Sequence, residues 1–297
     1  MANLDFMNDG ELRRWILEQT ESGQHPDQTL SELAARGLTP EAASEAMTRV
    51  LEERLLELRN QKRAGENSVP DDHADALRPL HRPEPLSTGS GNLLRVIDRD
   101  VRVVFRLERP RMVLFEGFLS NAECEELITS SRRQMSSSQV IDIDTGGEKP
   151  SDERTSSGTA LAREGTPTIA RIERRIAALL NWPLQNGEAI QVLRYDIGQE
   201  YKPHYDFVDP ALPGSSPFLQ RGGQRVASFL MYLNTPNAGG STSFPDLGLD
   251  VPAVKGNALF FAYDCAHPSS RTLHAGMPVS AGEKWIATKW LRENAHA

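Results

Sequence analysis

The sequence predicts a mainly β, α+β protein: a jelly-roll or double-stranded β-helix core with supporting helices, preceded by a small α-helical unit. Three observations predict it. Short runs rich in β-branched and aromatic residues, AIQVLRYD, KPHYDF, RVASFLMYL, ALFFAY, TLHAG and KWIATKWL, follow one another between Gly, Pro and Asn. These strands come after the helices instead of alternating with them, which argues against a parallel α/β sheet. Residues 8–62, by contrast, carry their apolar positions at helical spacing.

In that first stretch Leu12, Trp15 and Ile16 share one face and Leu30, Leu33 and Ala34 a second. Met47, Val50, Leu51, Leu55 and Leu58 form a third stripe, so three helices are expected in a unit spanning 1–62. Gly37 stands where a helix C-terminal cap falls, and Thr39-Pro40 supplies an N-cap followed by proline at the first helical position. The unit reads as a folding or dimerisation appendage, or as a docking element for a partner or substrate. Residues 63–92 carry four prolines, scattered charges and no periodicity, which reads as a linker with His73 and His81 exposed. A catalytic domain is expected over 93–297. It opens with strands VRVVF and RMVLFEGF, and Ser120 with Glu123 makes a capping box for a helix whose buried stripe holds Cys124, Leu127 and Ile128. A second helix begins at Thr166-Pro167 and aligns Ile169, Ile172, Ile176, Leu179 and Leu180.

Bulk properties exclude several classes. A net charge of −8 gives no electrostatic reason to expect nucleic acid or an anionic membrane as partner. No apolar run approaches the ~20 residues that cross a bilayer. The opening MANLDFMNDGELRRW has no basic stretch followed by an apolar one, so no secretion signal is expected. Cys124 and Cys265 form neither a disulfide framework nor a thiolate metal motif, and a reducing, cytoplasmic location is the expectation. Oligomeric state has no signature.

The chemistry concentrates in Pro203-His204-Tyr205-Asp206. Residues two apart on a strand share a face, so His204 and Asp206 can reach one metal ion. His274 in TLHAG is the candidate third ligand, and two histidines with one carboxylate leave positions open for non-haem Fe(II) oxygen chemistry. Lys284 follows His274 by ten residues, with Gly276, Pro278 and Gly282 between them as turn material. Two antiparallel strands joined by that turn would set Lys284 near His274 but deeper. A buried ammonium needs an anion, and the distal carboxylate of a 2-oxoacid supplies one. On the same strand Lys284, Ile286, Thr288 and Trp290 share a face. The alternative sets Lys284 on a solvated edge like Lys289.

The segment from Asn186 to Arg292 resembles the catalytic domain of prolyl 4-hydroxylases. The matching stretches are NGEAIQVLRYDIGQEYKPHYDF, RVASFLMYLN, GGSTSFP, VKGNALFF and LHAGMPVSAGEKWIATKW, with CEELI, RTSSG and IARIERRIAALL upstream, in the family's own order over about three-fifths of the chain. The resemblance implies Fe(II) held by His204, Asp206 and His274. It implies 2-oxoglutarate anchored through its C5 carboxylate by Lys284, with the Thr242 and Tyr195 hydroxyls in support. Arg225, Tyr201, Glu188 and Trp290 fall where the family lines its peptide-proline site. The implied reaction consumes O2, releases succinate and CO2, hydroxylates a proline-containing peptide or protein at C4, and draws on ascorbate as reductant. No side-chain general base is required. Ser241 stands where the family usually carries glutamate. The stretch VDPALPGSSPFLQRGG looks specific to a subgroup and suits a loop at the site's mouth, while DTGGEKPSDERTSSG matches a lid. His267 reads as a loop residue, and Arg292, Trp182 and Trp285 as structural. The competing readings are the same oxygenase chemistry on a non-proline or free amino-acid substrate, a non-catalytic metal-binding module of the same fold, and a zinc hydrolase, which would leave Lys284 without a purpose.

Overall fold

Helices α1 (Asp9–Glu21), α2 (Pro26–Ala35) and α3 (Pro40–Glu66) belong to the first of two units, 1–71 and 72–297, in the computed structural model. It describes residues 9–21, 24–66, 74–86, 91–141, 148–150, 153–212 and 214–296. The three expected helices form, and Ile16, Leu33, Ala43 and Val50 close a separate small core with Leu12, Trp15 and Leu30 against it. Gly37 takes φ +101° after α2, and Thr39 Oγ1 accepts the Ala42 N–H to start α3. The side chains of Leu55 and Leu58 lie outside the described residues.

The stretch expected to be a linker divides. His73 lies outside the described residues. Helix α4 (Ala74–Leu77) and residues 78–86 belong instead to the second unit. Ala76, Leu80, Pro83 and Pro85 are buried, the Leu80 N–H bonds Asp264 O at 2.9 Å, and the Leu86 N–H bonds Leu179 O at 2.9 Å. Arg78 pairs with Glu293 at 2.7 Å, and the exposed His81 tilts against Trp182 at 5.1 Å. An extended prolyl segment docks by isolated contacts and needs no periodicity, which is why composition alone reads it as free. Removing residues 1–71 is therefore expected to leave the melting temperature of the second unit unchanged, whereas removing 1–86 lowers it, as calorimetry would read.

The second unit opens with β1 (Leu93–Val96), β2 (Arg99–Glu108) and β3 (Arg111–Glu116), then α5 (Asn121–Ser131) and β4 (Ser136–Ser137). A small ribbon, β5 (Gln139–Ile141) and β6 (Glu148–Pro150), precedes β7 (Ser157–Leu161), α6 (Pro167–Leu180) and β8 (Ile190–Tyr195). Next come β9 (Tyr201–His204), α7 (Ser215–Leu219), β10 (Arg225–Tyr232), β11 (Ala238–Gly239), β12 (Thr242–Phe244) and β13 (Leu249–Val251). The chain ends through β14 (Ala258–Ala262), β15 (His274–Gly276), β16 (Val279–Ala281) and β17 (Lys284–Arg292). Among the described residues the larger sheet runs β1-β2-β3-β14-β10-β17-β8-β7-β4 and the smaller β13-β12-β15-β9, with antiparallel pairing throughout. This is the double-stranded β-helix with its supporting helices.

The Ser120–Glu123 capping box forms at α5, and Arg175 of α6 ties the same carboxylate to Asp98 and Phe118 O. Helix α6 buries the predicted Ile169, Ile172, Ile176, Leu179 and Leu180. Two expectations fail informatively. Lys289 is not solvated: it is buried with Glu173 of α6 as an ion pair, because an interior strand covered by a helix has no wet face. Nor do β15 and β17 form a hairpin. The Gly/Pro-rich turn carries the chain through β16 from the smaller sheet to the larger.

Candidate active site

His204 ends β9, and the backbone bends before Asp206, so the two side chains converge across a bend and not along a strand. His274 begins β15 directly opposite His204 in the ladder. His204 Nε2 lies 3.7 Å from Asp206 Oδ1, and His274 Nε2 lies 3.5 Å from Asp206 Oδ2. One ligand atom from each of the three falls within 4.8 Å of the others. Each imidazole donates Nδ1–H to the carbonyl two residues before it, His204 to Lys202 O at 2.8 Å and His274 to Thr272 O at 3.0 Å. That fixes the tautomer with Nε2 as a free lone pair. Burial, then the neighbouring His274, hold the His204 pKa well below its ordinary value, so the ring is neutral, as a ligand must be. For Asp206 burial pulls upward, but the two histidines, Arg225 and the Ser228 hydroxyl outweigh it and keep the carboxylate ionised. A divalent cation fits this donor set.

The cleft beside the triad is lined from both sheets, by Leu193, Tyr195, Leu230, Lys284, Ile286, Thr288 and Trp290 on one side and Tyr201, Thr242 and Gly276 on the other. The predicted alternate face of β17 is thus the pocket face. Lys284 is 1% exposed, and among the described residues neither a carboxylate nor a hydrogen bond reaches its Nζ. Its Nζ lies 5.3 Å from the ring centroid of Tyr195, the residue opposite it in the ladder. Burial lowers its pKa to about 8. A buried cation without a partner among the described residues, beside a His/Asp/His set, fits an acid that chelates at one end and carries a carboxylate at the other. Tyr232 Oη donates to Thr242 Oγ1 at 2.9 Å, which leaves the Thr242 proton free to donate into the cleft. Burial raises the Tyr195 pKa, so that phenol also remains a donor.

Four further residues were expected at the substrate. Tyr201 stacks on His204 at 3.5 Å between centroids, and burial pushes its phenol up to about 12. Trp290 lines the cleft, and among the described residues its Nε1 has no hydrogen-bond partner. A one-residue bulge in β10 between Arg225 and Ala227 turns Arg225 to the same side as Ser228. Its guanidinium lies 4.0 Å over Trp290 and donates to Asp206 O at 3.3 Å. Glu188 does not line the cleft. It binds Arg225 through both oxygens, at 2.7 and 2.9 Å, and accepts Arg292 Nε at 2.6 Å. Arg292 is therefore structural, as expected, but as half of a buried double pair.

Sequence reasoning missed Ser228 and Tyr263, whose hydroxyls reach the Asp206 carboxylate. A serine inside RVASFLMYL reads as a strand residue, and only the ladder shows what it faces. It also missed Phe218 of α7, whose ring lies 4.0 Å from the Arg292 guanidinium and 4.9 Å from that of Arg225. Helix α7 thereby packs, through Phe218, on both guanidinium groups. Gln224 closes the loop holding α7, accepting the Val208 N–H and donating to Val208 O. His267 accepts the Ser269 N–H in a turn and is no ligand in this set. Of the expected lid, residues 144–147 and 151–152 lie outside the described residues.

The 2OG-Fe(II) oxygenase superfamily profile matches residues 190–292. Prolyl 4-hydroxylase 2 of Arabidopsis thaliana is 37% identical over 206 residues, 62% of this chain and 67% of that protein. Prolyl 4-hydroxylase 1 of the same plant is 42% identical over 203 residues, 63% of this chain and 70% of that protein. The crystal structure of the viral collagen prolyl hydroxylase of Paramecium Bursaria Chlorella virus-1, a 2-oxoglutarate complex, is 32% identical, covers 61% of this chain and 95% of its own, and has a TM-score of 0.48. With matches at this identity over two-thirds of its relatives' length, the chain belongs to the prolyl 4-hydroxylase family, within the 2-oxoglutarate- and Fe(II)-dependent oxygenases.

Proposed function

We propose that the chain hydroxylates prolyl residues of a peptide or protein at C4, using Fe(II), 2-oxoglutarate and O2 and releasing succinate and CO2. The observation that carries the reading is the unpartnered Lys284 ammonium on the wall of the cleft that holds the His204/Asp206/His274 set. Bound iron with its cosubstrate supplies the oxidising power; the protein supplies position and exclusion of water. Lys284 pairs with the distal carboxylate, and Thr242 and Tyr195 donate to it. Tyr201 and Trp290 wall the site with flat apolar faces that suit a pyrrolidine. Arg225, oriented by Glu188 and stacked on Trp290, offers its remaining N–H groups to a substrate carbonyl. Ascorbate is proposed as the reductant that keeps the metal ferrous. Both cysteines are free and buried, which agrees with the proposed reducing, cytoplasmic setting.

The test is succinate formation under air with Fe(II) and a panel of proline-containing peptides, read with mass spectrometry for one added oxygen on proline. Peptide-stimulated succinate together with that oxygen supports the proposal. Stimulation only by free amino acids or by proline-free peptides would move the target elsewhere. No succinate from folded, iron-loaded protein would leave only a binding module. His204→Ala and Asp206→Ala are each expected to abolish succinate formation while the fold persists by circular dichroism.

A pH dependence follows from Lys284. In the ligand-free protein its ammonium holds its proton below about pH 8 and loses it above. Carboxylate binding requires the cation, so 2-oxoglutarate affinity is flat below that value and weakens above it, approaching about tenfold per pH unit. Calorimetric titration of Zn(II)-loaded protein would check this; a flat profile through the alkaline range would detach Lys284 from the cosubstrate.

A further inference from the structure

Two buried hydroxyl groups reach Asp206 Oδ2. Ser228, on β10, donates its hydroxyl to this oxygen, and Tyr263, just past β14, lies 3.4 Å from it. The two hydroxyls are also hydrogen-bonded to each other. Serine has a single proton, so once it is given to Asp206 the Ser228 oxygen accepts from Tyr263. The result is a chain of donors, Tyr263 to Ser228 to Asp206, in which both hydroxyl residues are 0% exposed. The backbone sets it rigidly: Ser228 pairs with Phe261 in one ladder and Trp290 in the other, and the Tyr263 N–H bonds Val226 O. Oδ1 receives no hydroxyl or N–H among the described residues and faces the His204 Nε2.

We infer that Ser228 and Tyr263 are positioning residues that restrict Asp206 to a one-oxygen metal ligand. A carboxylate can bind a metal through one oxygen or both. Biting through both would take a position that a chelating 2-oxoacid and dioxygen need together. Holding Oδ2 in hydrogen bonds keeps that position open. The inference rests on His204, Asp206 and His274 being the metal ligands.

The experiment uses full-length Ser228→Ala and Tyr263→Phe, the second removing a single oxygen, with calorimetric titration of Mn(II) and then of 2-oxoglutarate into the Mn(II)-loaded protein. With Oδ2 released to the metal, Mn(II) affinity is expected to stay the same or tighten, while 2-oxoglutarate affinity falls about tenfold for Ser228→Ala and by a smaller factor for Tyr263→Phe. Support of a merely structural kind would lower both affinities together. Parallel losses of Mn(II) and 2-oxoglutarate, or unchanged 2-oxoglutarate affinity in both variants, overturn the inference. Should Ser228→Ala not fold, Tyr263→Phe decides on the same two affinities. An unsubstituted protein that takes up no Mn(II) would sink the ligand assignment itself, and this inference with it.

Discussion

Lys284→Met is expected to raise the melting temperature of the ligand-free protein and, at the same time, to weaken its hold on 2-oxoglutarate severely. Burial lowers the Lys284 pKa from 10.5 to about 8. At neutral pH the folded and unfolded chains both carry the proton, so folding bears the whole penalty of an unpaired buried cation, on the order of 3 kcal/mol. The penalty is relieved as pH rises from the folded value toward the unfolded one, because only the folded state has then released its proton. Methionine has a similar reach and no charge, so the variant should gain several degrees at neutral pH and lose that margin in alkali. Its 2-oxoglutarate affinity should fall by about two orders of magnitude, the usual cost of deleting one partner of a buried charge pair. Thermal melts with and without cosubstrate would read both effects. A lower melting temperature would mean that the ammonium is already paired within the protein.

Glu188→Ala is expected to destabilise the fold by about 3–5 kcal/mol, because it strands two buried guanidinium groups at once. Glu188 is the shared anion of Arg225 and Arg292, whose side chains are 11% and 1% exposed. Phe218 and Trp290 cover the Arg225 plane, so water cannot readily replace the carboxylate. Combining Glu188→Leu with Arg292→Met should recover part of the loss, since one of the orphaned cations is then gone. Urea unfolding of the single and double variants would measure it. A loss below about 1 kcal/mol would place the three side chains among solvent-screened surface pairs.

Much of this site was legible in the sequence because it rests on short periods. The alternate face from Lys284 to Trp290 reduces to the strand repeat, whereas the two-residue spacing of His204 and Asp206 pointed to the right pair although a bend, not a strand, brings them together. The capping signals at Thr39, Ser120 and Thr166 were equally local. What stayed hidden depends on which sheet a strand joins. A turn rich in glycine and proline looks the same whether it closes a hairpin or crosses between layers, so the relation of His274 to Lys284 could not be read. For the same reason Ser228 and Tyr263 looked like ordinary strand residues, and Lys289 looked wet. Glu188 showed a charge but not the arginines that claim it, one of them 104 residues away.

The histidine geometry has a consequence for metal supply. His204 and His274 each lock their own ring onto a carbonyl two residues earlier, so the backbone fixes the tautomer and aim of both rings. A set of two imidazoles and a carboxylate aimed in this way has little leverage to refuse zinc, cobalt or nickel, which bind these ligands at least as tightly as ferrous iron. Correct loading is then decided by which ion the cell makes available, and mis-metallation is an intrinsic hazard of an otherwise rigid centre.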